Sequence, residues 1–391
     1  MMKMEDFQSG RYVRQFEYKS FSPTPINEQW YWEDPEMNVL LEKANCALSA
    51  LNSHAEHIPD YELFMGMYIK KEANLSSKIE GTQTEIEDVV LPEEAVALEK
   101  RDDWHEVQNY ITAMNDAIDQ LKSLPLSIRL IKKSHAILLS GVRGEHKYPG
   151  EIRRSQNWIG GKSLKDASYI PPHYEEVPDL LSDLQKFWYN DQIFVPQLIR
   201  CAITHYQFET IHPFCDGNGR IGRLLIPLYL ISKGLLSKPS LYISAYLEKN
   251  RSEYYSALNS GRENNQLIEW CKFFLRSLTQ TAENEREAFL QIQKLKAEMN
   301  DVALSMQKRS ANTQKLFNFL YQNPIIDIPS AAKELNVSFP TASSLIHDLE
   351  KKGVLTPYKQ SIIKPQKYVF SKYLAIFKDT PFADKKKQSN D

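Results

Sequence analysis

The stretch Ile211-His212-Pro213-Phe214-Cys215-Asp216-Gly217-Asn218-Gly219-Arg220-Ile221-Gly222-Arg223 decides how this chain is read. Upstream, Leu198, Cys201, Ala202, His205 and Phe208 recur at helical spacing; downstream, Leu224, Leu225, Leu228 and Leu230 resume an apolar run. The stretch is therefore a loop between two buried helices, with Gly217-Asn218-Gly219 opening the second. A helix start leaves four backbone N–H groups unpaired and carries partial positive charge. Glycines let an anion approach that backbone closely, which makes a phosphate cradle. Arg220 and Arg223 stand three residues apart, share a helix face and can clamp one anion. His212 is placed to reach a group bound in the cradle, and Asp216 offers a hard oxygen suited to magnesium on phosphates. These are the parts of a phosphoryl or nucleotidyl transfer site. Asp216 to Gly219 alone reads as an ordinary turn and helix cap; the added histidine and spaced arginines carry the catalytic reading. No Gly-Lys-Ser/Thr follows, so this is not a Walker loop.

With every fixed position filled, the stretch resembles the signature of the Fic family, His-Pro-Phe-x-Asp-Gly-Asn-Gly-Arg-x-x-Arg. The resemblance implies a helical core that moves AMP from ATP onto a Ser, Thr or Tyr hydroxyl of a target protein. It implies His212 as general base, Asp216 as the Mg2+ ligand and Gly217, Asn218, Gly219, Arg220, Ile221, Gly222 and Arg223 as the nucleotide-binding run. The related Doc kinases differ at the second glycine-arginine pair, so Gly219-Arg220 favours AMP transfer.

Ser76-x-x-x-Glu80-Gly81 closes an earlier helix, with Gly81 as a C-cap, and alone it is a helix end with a solvated glutamate. It also matches the family's inhibitory motif, which implies that Glu80 pairs with Arg223 where the γ-phosphate belongs and, with Ser76, keeps the enzyme quiet. Gln156-Asn157-Trp158-Ile159-Gly160-Gly161 and Ala167 to Pro172 read as a β-hairpin closed by a turn from Gly161 to Asp166. That hairpin is either an incidental surface feature or the family's flap, which pairs with the target as an added strand. Tyr254 and Tyr255 read as half-buried helix residues; by position in the family they border the nucleotide base.

At 391 residues, two or three domains are expected: an N-terminal helical region (1–110), a catalytic core (111–280), and a linker helix with a further module (281–391). Apolar content of 42% supports full cores, and a net charge of −2 argues against a globally basic surface. Cys46, Cys201, Cys215 and Cys271 show no metal spacing, which suits a reducing cytoplasm, and no apolar run approaches membrane length. Residues 1 to about 35 read as an extended arm lying on a surface. Helices follow from Pro35, from Pro59, across 82–145, and from Val177 to Trp188. A charged connecting helix covers 277–310.

The segment 311–375 reads as a separate unit resembling a winged helix-turn-helix, with wing strands at Gly353-Val354-Leu355 and Lys367 to Phe370. It carries eight lysines against four acids, yet its recognition helix opens Phe339-Pro340-Thr341 without a basic side chain. DNA binding, homodimerisation and target presentation compete as its role. The tail with Lys385-Lys386-Lys387 is expected to be disordered. The fold class is thus mostly α: a Fic-type helical core with a β-hairpin flap, plus a C-terminal winged helix-turn-helix. The expected activity is autoinhibited AMP transfer; the alternatives are AMP removal with Glu80 positioning water, and a DNA-binding regulator sensing nucleotide.

Overall fold

The computed structural model describes residues 1–58, 60–358 and 365–378; the Lys385–Lys387 tail lies outside them. The N-terminal segment forms β1 (Met2–Lys3), β2 (Gly10–Arg14), β3 (Lys19–Pro23) and β4 (Trp30–Tyr31). β1 pairs in parallel with β4, and β2–β3 is an antiparallel hairpin in register from Gly10↔Pro23 to Arg14↔Lys19. This segment does not lie passively on the surface. Phe7, Phe21, Ile26 and Trp30 are buried in the core, because these rings and the isoleucine gain more by leaving water than an extended arm offers.

Eleven α-helices follow among the described residues: α1 (Pro35–Glu56), α2 (Tyr61–Ile79), α3 (Ile86–Val90), α4 (Arg101–Gln120), α5 (Ile128–Leu138), α6 (Val177–Tyr189), α7 (Gln197–Ile211), α8 (Asn218–Ser232), α9 (Ser244–Lys249), α10 (Arg251–Glu263) and α11 (Leu267–Ser305). The start of α1 shows why such sequences turn helical where they do. Asp34 accepts from the N–H groups of Glu36 and Met37, and Pro35 occupies a position whose N–H would be unpaired anyway. α7 and α8 lie at the centre, and every residue of α7 after Gln197 is buried. At 39 residues, α11 runs about 58 Å.

The C-terminal unit continues α12 (Ser310–Gln322), β5 (Ile325–Asp327), α13 (Ile328–Leu335), α14 (Phe339–Lys351), β6 (Thr356–Pro357), β7 (Lys367–Val369) and α15 (Ser371–Lys378). Its antiparallel sheet has the order β5-β7-β6. β6 begins at Thr356, while Val354 and Leu355 are buried core rather than strand. The unit is not separate in space. Phe64 of α2 meets the Tyr321 ring at 5.1 Å, Tyr68 meets Phe377 at 5.1 Å, and Lys70 donates to the Gln322 carbonyl at 2.9 Å. The charged look of the connecting helix conceals an apolar stripe, Phe289, Ile292, Leu295, Met299 and Ala303, whose near-helical spacing buries it. Among the described residues, no helix is long and apolar enough to cross a membrane.

Candidate active site

α7 ends at His212, whose backbone takes the left-handed conformation (φ 49°, ψ 62°) while its N–H donates to Phe208 O at 3.0 Å. A non-glycine residue there is strained and persists only where its surroundings hold it. They do so from several directions. The Asn218 side chain closes the loop on Phe214, accepting from its N–H and donating to its carbonyl at 2.8 Å each. Asn157 donates from Nδ2 to Phe214 O at 2.8 Å and His212 O at 3.3 Å. Arg153 donates from Nε to His212 O at 2.9 Å. His135 accepts the Gly150 N–H on Nδ1 (2.8 Å), so its Nε2–H donates to Asp216 O (3.0 Å), and its ring stacks on Phe214 at 3.8 Å. Burial pushes the His135 pKa down to about 4, which keeps this tautomer neutral.

Gly217 (φ 73°) caps α8, whose first turn forms the cradle. Arg223 is 1% exposed and donates to Ser76 Oγ and Ser76 O at 2.9 Å and to Glu80 Oε1 at 2.6 Å. Gly219 is needed beneath: a Cβ at that position would collide with the Glu80 carboxylate. Burial works against the Glu80 charge, but Arg223 outweighs it and holds the carboxyl below its usual range. Sequence spacing could not bring Glu80 and Arg223 together; the fold does. Arg220 turns the other way, donating to Glu106 Oε2 at 2.9 Å, and Glu106 also accepts from Arg143 at 2.7 Å. Asp216 Oδ1 accepts from Gly217 N at 2.5 Å and lies 3.7 Å from Arg220, with its side chain 45% exposed.

His212 Nδ1 is buried without a hydrogen-bond partner. Burial, aided by the Arg262 and Arg153 charges, pushes the ring's pKa down to about 3, so the imidazole is neutral and free to accept. Ile221 is buried, and Gly222 packs so closely on Glu209 that a Cβ would strike its carboxylate. Gly222 O accepts from His205 Nδ1 at 3.0 Å, and His205 Nε2 in turn accepts from the Tyr254 hydroxyl at 2.9 Å. Tyr254 is thereby a core ring tied to α7, while Tyr255 stands beside it at 5.1 Å, partly exposed.

The 157–172 segment keeps the expected turn, with Lys162 and Ser163 N–H groups donating to Asp166. Its strand pairing shrinks to a single bridge, Ile159↔Tyr169. Gly160 and Gly161, both at φ 70°, end the extended run directly after Ile159, and Pro171-Pro172 lack the N–H groups a longer ladder needs. Trp158 stands partly exposed beside the bridge.

Four residues of this site escaped sequence reading: His135, Arg153, Glu106 and Glu209. His135 carried a weak signal, a histidine on the apolar face of an amphipathic helix. Arg153 bonds main-chain carbonyls, Glu106 meets Arg143 and Arg220 far away in sequence, and the buried Glu209 Oε1 has no hydrogen-bond partner and packs against Gly222. All four cysteines are free, and among the described residues no group of three or more His, Cys, Asp or Glu side chains could hold a metal.

The structure thus sets the first turn of α8, Arg220, Arg223 and a neutral His212 at one buried loop–helix junction. Family comparison places it further. A model described as Fic/DOC family N-terminal matches residues 38–119, and one described as Fic/DOC family matches 125–230. These two stretches are thus similar to the N-terminal region and the Fic domain of the Fic/DOC family. A probable protein adenylyltransferase of Aquifex aeolicus is 32% identical over 140 residues, covering 34% of this chain and 39% of that protein. Protein adenylyltransferase Fic of Culex quinquefasciatus is 34% identical over 115 residues, covering 29% of this chain and 20% of its own length. The chain thus spans well under half the length of these relatives. Its fold is shared with a Fic family protein of Desulfovibrio desulfuricans, at TM-score 0.55 and 20% identity over 88% of this chain and 98% of that one. It is also shared with Fic-1 of Caenorhabditis elegans, at TM-score 0.50 and 21% identity over 67% and 75%.

Proposed function

We propose that this chain transfers AMP from ATP to a hydroxyl of a target protein, and that Glu80 holds the activity in check. One observation carries the reading: a carboxylate, itself an oxyanion, sits on Arg223 directly over Gly219 at the α8 N-terminus. Whatever displaces it must be an anion of comparable reach, and the γ-phosphate of ATP is that. The relatives reported above are named a probable protein adenylyltransferase and a protein adenylyltransferase Fic.

In the reaction, His212 takes the hydroxyl proton as the oxygen attacks the α-phosphorus and pyrophosphate leaves. The approaching triphosphate raises the imidazole's basicity from its resting low value, because negative charge favours the protonated ring. Backbone N–H groups of Gly217 to Gly219 cradle phosphate oxygens, Arg223 freed of Glu80 holds the γ-phosphate, and Arg220, held by Glu106, adds its charge from the other side. The residues present fit a magnesium ion: Asp216 keeps one carboxylate oxygen uncommitted and half-exposed beside the cradle, and such ions take most ligands from phosphates and water. Bound there, Mg2+ would neutralise phosphate charge. Tyr255 offers its face to the base, with Tyr254 fixing it from behind. Asn157 to Gly160 present the flap edge to the target strand.

The division at residues 110 and 280 marks function, since α4 and α11 run unbroken through those positions. The C-terminal order of helix, strand, two helices and two strands supports a winged helix-turn-helix with α14 as its recognition helix. The first turn of α14 exposes Phe339, 56% accessible, and no basic side chain, which fits a protein surface better than DNA phosphates. Duplex binding that falls steeply with salt would reverse that preference. The primary test is incubation of purified protein and its Glu80→Gly variant with α-labelled ATP, with and without lysate. Label on protein supports the reading, and no label in any arm overturns it.

A further inference from the structure

Arg153 is 2% exposed, and among the described residues no carboxylate lies within ion-pair distance of it. A buried guanidinium without a counter-charge is unusual. Burial pulls its pKa down to about 10, so the group stays charged near neutrality. All its side-chain hydrogen bonds go to carbonyls, and those carbonyls belong to two different structures. Nε donates to His212 O (2.9 Å) and Nη2 to Ile211 O (3.3 Å), both at the C-terminal end of α7, where a cation complements the helix dipole. Nη2 also donates to Pro172 O (2.6 Å) and Nη1 to Ser155 O (3.3 Å), one on each arm at the base of the flap. The Arg153 main-chain N–H closes the set on Pro213 O at 3.0 Å.

We propose that Arg153 is a positioning residue that locks the flap and the catalytic loop into one frame, so that a target strand seated on the flap meets His212 in attack geometry. The left-handed backbone of His212 needs such a hold, and the single-bridge hairpin cannot supply it. Asn157 repeats the link one bond further on, from the flap to His212 O and Phe214 O. Geometry matters at this level because a displacement of about 1 Å costs on the order of 10²-fold in rate. The proposal rests on the AMP-transfer reading.

The test uses the full chain carrying Glu80→Gly, with and without Arg153→Lys, which keeps the charge but cannot reach both structures. The expected result is a kcat for label transfer lower by about 10²-fold, with the KM for ATP within about threefold because the cradle and Arg223 are untouched. Amide exchange should rise together in 155–172 and 211–215, while the α7 and α8 interiors stay protected. A folded Arg153→Lys protein with unchanged kcat, or with exchange unchanged in either segment, overturns the proposal. Should Arg153→Lys lose cooperative unfolding, Asn157→Ala, which cuts the second link, must show the same split, and its absence is equally contradictory. If the Glu80→Gly protein transfers no label, the activity reading has failed, and the exchange measurement alone decides the coupling.

Discussion

The catalytic loop and the end of α2 meet at Arg223, yet they are held in opposite ways. Residues 211–218 are fastened by side chains from elsewhere: Asn157, Arg153 and His135 each bond its main chain, and Asn218 closes it from within. Losing one such bond leaves the others. The end of α2 contributes only Ser76 and Glu80, the Glu80 side chain is 35% exposed, and Gly81 follows with open space where a Cβ would be. On the proposed function, a fixed cradle faces a removable plug. Stability differs across a structure, and segments that must move are drawn from its weaker part.

That contrast can be broken first at the cradle. His212→Ala in the Glu80→Gly background should lower label transfer by about 10²–10⁴-fold while ATP affinity persists, read by single-turnover incorporation and equilibrium binding. Transfer surviving at about a tenth of the parent rate would leave the loop without its base.

The plug predicts a smaller, thermodynamic effect. A solvated glutamate would leave stability unchanged on removal. Here Glu80→Gly strands a buried guanidinium with only Ser76 as partner, and the partial exposure of Glu80 tempers the loss. We expect about 1–3 kcal/mol less stability by urea unfolding, with an unchanged slope. No loss would mean that the pair contributes nothing.

A further effect on stability, read through pH, lies beneath the cradle. Burial pushes the Glu209 carboxyl up to about 7, with Arg223 opposing and Glu80 reinforcing. A carboxyl held above its ordinary 4.5 gives stability that is fully present below that value and lost as pH rises towards 7. Glu209→Gln cannot titrate, so its melting temperature should gain on the parent between pH 4.5 and 7 and keep a constant difference above. A difference flat across that window would show Glu209 ionised throughout.

The same contrast explains what the sequence disclosed. The cradle was legible because its chemistry sits in one contiguous stretch, where glycines, Asn218 and spaced arginines have local reasons to occur. The motif Ser76 to Glu80 was visible, but its partner became physical only once α2 and α8 were packed. Arg153 was invisible because its acceptors are carbonyls, which every residue carries. The flap hairpin was overdrawn, since Gly160-Gly161 and Pro171-Pro172 shorten a ladder that side-chain pattern alone would extend. The C-terminal unit looked detached because Phe64 and Tyr68 find their ring partners at Tyr321 and Phe377, beyond any local periodicity.

Whether Glu80 is the plug decides how this site is controlled. Single-turnover incorporation of labelled AMP should be compared for the parent, Glu80→Gly, and Glu80→Gly with His212→Ala, at equal protein and ATP. Release of Arg223 predicts that Glu80→Gly outpaces the parent by about tenfold or more, the factor given by each 1.4 kcal/mol of inhibition removed, and that the double variant is silent. A Glu80→Gly protein no faster than its parent, with the parent itself active, would contradict the plug and leave the cradle standing alone.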